Sequence, residues 1–528
     1  MSDHQRAIAE LTPKQMELLR LRLSRLQQKD GHDSHGRHAP ITPRGGTSDT
    51  FPLSFAQQRL WVVDQLAPGN PAYNIALGVR LKGRLDVAAL ERSLREIVRR
   101  HESLRTTFTS RGGTPVQVIS PQADVGLALQ DLSAFAEPER EAEGERLAAA
   151  EARRPFDLER GPLLRVALLK FADDDHVLLR TVHHIVSDKI SEDIFVRELA
   201  TLYEAFSAGR PSPLPPLPIQ YADYAQWQRE WLGGDVLRGQ IDYWETALAG
   251  APPALDLPTD MPRPPVQTFR GARLTREFSP ELTAEVEALA EREGCLLFMA
   301  ILSAFKVVLL HLSGQDDLVV GTTISGRHRQ EVAGLIGFFI NTLVLRTGLS
   351  GDPTLRELMG RVRETVLAAE EHQYLPFEKL VEEMHVERDP SRHPLFQVIF
   401  NIQQHSADAE TELPGLSLSR FGAADTASVK FDITVFNLKT PDRLIYAFVY
   451  NTDLFRERTV ARMMDDYDAV LRRALAHPDV RLSELLGMLS EGRQRRLADE
   501  RAGMKEANLQ RLKSVRRRVE GAAAGGRE

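Results

Sequence analysis

The chain has 528 residues, 42% of them hydrophobic and 27% charged, which is enough for roughly two or three globular domains with full cores. A formal net charge of −7 gives no overall basic field, so nucleic acid is not expected as a main partner, and no stretch is long and apolar enough to read as a membrane span. The single cysteine, Cys295, can form neither an internal disulfide nor a cysteine-based zinc site, and its apolar surroundings read as core.

The N-terminus carries polar residues where a secretion signal would need an apolar segment, so a reducing, cytoplasmic location is expected. Leu11 to Gln28 reads as a helix, with Thr12 as N-cap and Pro13 in the first turn. Met16, Leu19, Leu23 and Leu26 recur at helical spacing, with Arg20, Arg22 and Arg25 on the remaining faces. Such a basic amphipathic helix either packs on the body or docks another polypeptide. Lys29 to Thr50 is rich in Gly, His, Ser and Pro without an apolar period and reads as a flexible linker, so residues 1–50 stand apart and the globular body begins near Phe51.

The body opens with S-F-A-Q-Q-R-L-W-V-V-D-Q-L, Ser54 to Leu66, a turn-prone P-G-N-P and a strand-like N-I-A-L-G-V-R-L. A helix from Val87 to Arg99 leads into R-H-E-S-L-R-T-T-F, Arg100 to Phe108, where Arg100 and Arg105 either pair with a distant carboxylate or are solvated. The run H-V-L-L-R, His176 to Arg180, reads as a buried strand. It is followed by T-V-H-H-I-V-S-D-K-I-S, Thr181 to Ser191, and a helix-like segment from Glu192 to Phe206. This polar cluster at a strand end lets His184 project into a cleft while Asp188 turns back to fix the loop; a structural histidine pair with a capping aspartate is the alternative.

The proline-rich P-S-P-L-P-P-L-P, Pro211 to Pro218, marks a boundary. Beyond it, helices are expected at Pro280 to Glu293 and Leu296 to Leu312, and a strand at Leu318 to Ile324. Gly326 to Glu331 lies between two strand-like runs, where a loop can bridge to the first half. Asn341 and Thr342, in an apolar strand-like run, either hydrogen-bond a substrate or serve the structure. Residues 487–528 read as a helix-prone, basic tail.

Further motifs complete a set: Y-A-D-Y-A-Q-W at Tyr221 to Trp227, I-G-F-F-I-N-T-L-V-L-R at Ile336 to Arg346, H-Q-Y-L-P-F-E at His372 to Glu378 and R-D-P-S-R-H-P-L-F at Arg388 to Phe396. Together with Ser54 to Trp61, Arg100 to Phe108 and the His-His-x-x-x-Asp of His183 to Asp188, they stand in the order found in the condensation domains of nonribosomal peptide synthetases. The chain resembles that family from about Phe51 to about Leu486. The resemblance implies an α/β (α+β) fold of two chloramphenicol-acetyltransferase-like lobes, residues 51–210 and 211–486, forming a V-shaped pseudodimer with the active site in the channel between them.

It also implies a reaction: amide, or in a variant ester, formation between an acyl or peptidyl thioester donor and an aminoacyl thioester acceptor. Each is carried on the 4′-phosphopantetheine arm of a carrier protein. His184 is then the base or orienting group and His183 a supporting residue. Asp188 is structural, with its partner among Arg100, Arg105, Arg327 and Arg346. Lys189, Ser191, Asn341 and Thr342 are candidates to bind substrate or the pantetheine arm. No metal and no tightly bound cofactor are expected; the partners are an upstream donor and a downstream acceptor carrier, with no nucleic acid or membrane, and a monomer is expected. No adenylation or carrier domain is recognisable, so both thioesters are expected to arrive on other domains.

The sequence departs from the family where Asp188 is followed by Lys189 and Ile190 instead of glycine and an aromatic residue. The Lys189 ammonium either faces the channel beside His184 or extends to solvent. The Ser-Trp pair of epimerising relatives and the Asp-for-His exchange of heterocyclising ones are both missing. The rival reading is a catalytically silent condensation-like module that recruits a tailoring enzyme to a carrier protein.

Overall fold

The computed structural model describes residues 40–45, 48–122, 125–386, 389–404, 413–422, 429–496 and 498. The helix expected over Leu11 to Gln28 and nearly all of the tail beyond 496 lie outside the described residues. The strands of the N-terminal half are β1 (Thr50–Pro52), β2 (Asn74–Gly83), β3 (Thr106–Arg111), β4 (Thr114–Ile119), β5 (Ala128–Asp131), β6 (Leu164–Ala172) and β7 (Asp175–His183). Those of the C-terminal half are β8 (Gly271–Glu277), β9 (Asp317–Ile324), β10 (Asn341–Gly348), β11 (Val398–Gln404), β12 (Leu416–Arg420), β13 (Ile433–Lys439) and β14 (Leu444–Asn451).

Every residue of β7 from His176 to His183 is buried. The strand lies between β2 and β6 and is covered on both faces, which is why its apolar run is continuous rather than alternating. Leu178 and Val182 pack with Ile194, Phe195 and Leu199 of the helix Lys189–Ser207, while Val177 and Leu179 face Leu169 and Phe171. In the C-terminal half the sheet runs β10-β9-β11-β13-β14-β8, with β11 parallel to both its neighbours. The helix Leu297–Ser313 beside it is apolar on all sides, buried from Met299 to Leu309, and stops at Gly314 with φ 71°. Cys295 is buried just ahead of it, and burial pushes its thiol up to about 11.

The C-terminal half lends a strand to the N-terminal half. β12 adds antiparallel to the outer edge of β2, so the sheet of the N-terminal half takes a strand from beyond residue 410 that its short L-S-L-S-R pattern did not announce. The approach is close: a Cβ on Gly78 would stand 2.5 Å from the Phe421 carbonyl oxygen. The expected linker is also shorter than its composition suggests. Ile41 is buried with Tyr221 and Phe339, and the backbone and guanidinium of Arg44 both donate to Asp223 at 3.0 Å. At the other end, the helical residues 482–496 bury Leu485 and Leu489 and pair Arg496 with Asp466 at 2.7 Å, so the start of the expected tail belongs to the folded body. Among the described residues no single helix is long and apolar enough to cross a membrane.

Lys306 interrupts the apolar helix Leu297–Ser313 and is fully buried. Its ammonium donates to the Leu345 carbonyl on β10 at 2.9 Å and the Leu318 carbonyl on β9 at 3.4 Å, which ties the helix to the sheet. Burial pushes the amine down from 10.5 to about 7, with Asp317 opposing. Below that pH the folded chain holds a desolvated charge. As pH rises from about 7 towards 10.5 the unfolded chain keeps a proton that the folded chain has lost, so folding stability rises over this window. Lys306→Met is therefore expected to exceed the parent in stability by on the order of a few kcal/mol near pH 6, with the gap narrowing towards pH 9. Chemical denaturation at both pH values measures it, and a variant less stable throughout would show that the two carbonyl bonds outweigh the desolvation.

Candidate active site

The loop after β7 is anchored before it is functional. His183 closes the ladder opposite Asn74, and its N–H donates to the Leu163 carbonyl at 3.0 Å. A single turn of 3-10 helix, His184–Val186, then buries Ile185 and Val186 completely. Asp188 caps the helix Lys189–Ser207, its Oδ1 accepting from the Ser191 N–H at 2.8 Å. Two apolar plugs and a cap thus fix a segment whose remaining side chains are polar.

The histidines adopt opposite tautomers. His184 Nδ1 lies 2.8 Å from the Ser187 carbonyl, which can only accept, so Nδ1 carries the proton and Nε2 the lone pair. His183 Nδ1 accepts from the Ile185 N–H at 3.2 Å, which puts its proton on Nε2. Burial, with Lys430 adding to it, pushes both imidazoles down to about 3, so both are neutral near pH 7. His183 is buried against Phe156 and Tyr73, whereas His184 keeps partial exposure and meets the edge of Phe338 with ring centroids 4.9 Å apart. His183 locks the turn; His184 is the one presented.

Of the four candidate arginines, Arg327 is the partner of Asp188, at 3.1 Å, with side chains 4% and 2% exposed. Arg327 also donates to Ser191 Oγ at 2.7 Å and to the Val332 and Leu335 carbonyls at 2.8 Å, while Asp188 Oδ2 accepts from the Phe339 N–H at 3.1 Å. The other three are committed elsewhere. Arg100 pairs with Glu198 at 3.2 Å, Arg105 with Glu102 at 3.3 Å, and Arg346 with Asp317 at 2.8 Å.

The four candidates for substrate contact are likewise held by the protein. Lys189 is exposed at the helix start and pairs with Asp193 one turn on, so it extends to solvent instead of facing His184. Ser191 is fully buried and its hydroxyl joins Asp188, Arg327 and Gly337. Asn341 spends its amide on the Gln373 and Leu375 carbonyls and on the Phe377 and Thr342 N–H groups. Thr342 is buried within β10.

Segment 326–339 forms a floor beneath the two halves, gripped from the N-terminal half. Ser103 Oγ donates to the Ile336 carbonyl at 2.7 Å, and His101 Nδ1 accepts from the Ile336 N–H at 3.2 Å. Tyr221 hydrogen-bonds the Phe338 carbonyl and shares a 2.8 Å hydrogen bond with Ser54. A Cβ on Gly337 would stand 2.0 Å from the Tyr221 ring, so only glycine fits there.

Sequence reasoning missed the charged and aromatic groups around His184. Arg59 pairs with Glu378 at 3.0 Å across the halves and lies 5.6 Å over Phe338. Lys430 stands 4.0 Å over Tyr73, and His393 stacks on Phe377. Arg59 and Glu378 sit inside two of the quoted motifs, so reading the motifs as one surface would have found them; Lys430 has no such signal. A cavity of about 820 Å³ borders Asn74 and Thr181 and extends to Arg153, Arg270 and Gly422, without including His184 in its lining.

A family profile described as the condensation domain matches residues 47–498. A linear gramicidin synthase polypeptide of Brevibacillus parabrevis is 51% identical over 443 residues, which is 84% of this chain and 6% of that protein, so the chain spans a small fraction of this relative's length. The complex of the X-domain and OxyB from teicoplanin biosynthesis superposes with a TM-score of 0.78 at 31% identity, covering 86% of this chain and 99% of that one. The starter condensation domain of rhizomide synthetase superposes with a TM-score of 0.70 at 21% identity, over 82% of this chain and 96% of that one, a likeness of fold. The mixed α/β architecture is thus the chloramphenicol-acetyltransferase-like one of these domains. With motifs, fold and loop geometry in agreement, the chain belongs to the condensation-domain family of nonribosomal peptide synthetases.

Proposed function

We propose that this chain joins an acyl or peptidyl thioester donor to the amine of an aminoacyl thioester acceptor, with both held on 4′-phosphopantetheine arms of carrier proteins. The observation that carries the reading is His184, a neutral imidazole whose Nδ1–H is committed to Ser187 and whose Nε2 lone pair is left for a proton. Attack of the amine on the thioester carbonyl forms the C–N bond and moves an electron pair onto oxygen. The amine proton passes to Nε2; collapse breaks the C–S bond, and the thiolate leaves with that proton. The growing oxyanion favours the imidazolium, so the basicity of His184 rises as the reaction proceeds.

Asp188 cannot serve as a second base in this scheme, because its oxygens accept from Ser191, Arg327 and the Phe339 N–H. It holds the loop. The division into lobes of 51–210 and 211–486 belongs to the same proposal, with β12 as the exchanged strand. A second reading, an interface module that recruits a tailoring enzyme, draws on the likeness to the X-domain in its complex with OxyB. The neutral, outward His184 and the higher identity to the linear gramicidin synthase polypeptide favour condensation.

Transfer between loaded donor and acceptor carriers, read by intact-protein mass, tests the chemistry. His184→Ala is expected to lose at least about 10²-fold in rate, the scale of a general base, with a melting temperature close to the parent's. Undiminished transfer would remove the base and favour the recruitment module. Arg327→Met leaves Asp188 as a buried, uncompensated charge and is expected to cost about 3–5 kcal/mol in denaturation as well as activity. A loss of activity at unchanged stability would mean instead that Arg327 acts on the substrate.

A further inference from the structure

Among the described residues, Lys430 is a cation between the halves without a counter-ion. Lys430 lies three residues before β13 on clamped backbone: the Val429 N–H donates to the Phe269 carbonyl at 3.1 Å, and the Lys430 carbonyl accepts from Gln267 Nε2 at 2.7 Å. Asp432, two residues on, is ion-paired with Arg263. From this base the side chain crosses to the N-terminal half and sets its ammonium 4.0 Å over the Tyr73 ring. Tyr73 closes the turn before β2, whose first residue pairs with His183, and the Tyr73 and His183 rings are 6.4 Å apart. The ammonium is thus one ring away from His183, the neighbour of His184.

The other ionisable groups facing this space are accounted for. Arg59 is paired with Glu378, and burial keeps His183, His184 and His393 neutral near pH 7. Among the described residues no carboxylate lies within ion-pair reach of Lys430, and the ammonium rests on the face of Tyr73. The contrast with Lys306 is direct, since that lysine is sealed in the core on two carbonyls whereas Lys430 keeps partial exposure over the Tyr73 ring. Burial and Arg59 push the Lys430 ammonium down to about 7, so an arriving anion would hold it protonated.

We propose that Lys430 is a further catalytic residue: its ammonium receives the oxyanion formed when the acceptor amine adds to the donor thioester. The inference rests on the condensing reading above. In the adduct the C–N bond has formed and the carbonyl π pair resides on oxygen as a full negative charge. That charge meets Lys430 until the pair returns and the C–S bond breaks, with the amine proton moving through His184 to the thiolate. A neutral thioester carbonyl gives the ammonium little, and the adduct gives it a whole charge in a partly desolvated space, so the interaction strengthens as the barrier is climbed.

Lys430→Met keeps the stem and removes the charge; Lys430→Arg keeps the charge. In carrier-to-carrier transfer, Lys430→Met is expected to lose about 10²–10³-fold in kcat at unchanged KM, with a melting temperature no lower than the parent's and partial rescue in Lys430→Arg. A rise in donor KM at constant kcat would overturn the proposal, because it would make Lys430 an anchor for a ground-state anion such as the pantetheine phosphate. The second probe is a phosphonamidate mimic of the adduct bearing an N-acetylcysteamine arm, titrated by calorimetry beside the matching neutral amide. Lys430→Met is expected to weaken the phosphonamidate by at least about 10²-fold and to leave the amide unchanged. Equal weakening of both, or of neither, overturns the oxyanion role. A parent that binds the phosphonamidate through Lys430 yet transfers nothing between carriers contradicts the condensing reading alone. A parent that condenses while Lys430→Met turns over normally contradicts the Lys430 role alone.

Discussion

The arrangement of the site depends on one buried ion pair, Asp188 with Arg327, whose members come from opposite halves of the chain. Two charges removed from water cost several kcal/mol each, and their mutual attraction offsets this only when the remaining lone pairs and protons are also bonded. Here Ser191 and the Phe339 N–H complete the carboxylate, and two backbone carbonyls and the Ser191 hydroxyl complete much of the guanidinium, which also lies 4.1 Å over the Phe339 ring. The pair therefore does two things at once: it caps the helix that follows the histidine loop, and it draws the floor segment against that cap. The setting of the His184 loop and the docking of the halves are thereby coupled.

Behind the loop a second buried pair supports the same turn. Ser187, whose carbonyl fixes the His184 tautomer, donates its hydroxyl to Glu192 at 2.8 Å, and Glu192 is paired with Arg180 on β7. Arg180 in turn lies 4.7 Å over the Phe195 ring on the same helix as Glu192. The strand before the loop and the helix after it are thus joined through the residue that orients the imidazole. The flanking Phe338 and Phe339 divide along the same line, one ring against His184 and the other under Arg327.

Local chemistry made part of this legible in the sequence. The buried strand through Arg180, the helix beyond Asp188 and the apolar helix expected from Leu296 to Leu312 follow from hydrophobic runs and periodicity, which act within a few residues. What acts over long separations was not legible. Four arginines were equivalent as partners for Asp188 in the sequence, and only the return of the floor segment selects Arg327. The short strand Leu416–Arg420 carries too little pattern to announce its exchange into the other sheet. Lys189 drew attention because it replaces glycine, yet a lysine at an exposed first helical turn finds its partner four residues on, at Asp193. Lys430 drew none, because a single lysine ahead of a strand looks like any surface lysine until the fold sets it over Tyr73.

The ion pairs that join the halves also explain how a cation can be kept beside neutral histidines. Lys430 comes from the C-terminal half, and Tyr73 and His183 from the N-terminal half, so docking brings a positive charge with no carboxylate partner among the described residues into a partly desolvated space. That step is unfavourable in itself, since burial disfavours the ammonium and Arg59 repels it. Asp188 with Arg327, Arg59 with Glu378 and the exchanged strand against β2 hold the halves together against it. A carboxylate near Lys430 would offset part of that cost, as the two carbonyls do for Lys306. With no carboxylate beside it among the described residues, the ammonium stands there before any substrate arrives, and on the proposed reading an oxyanion formed beside it would meet a field already in place.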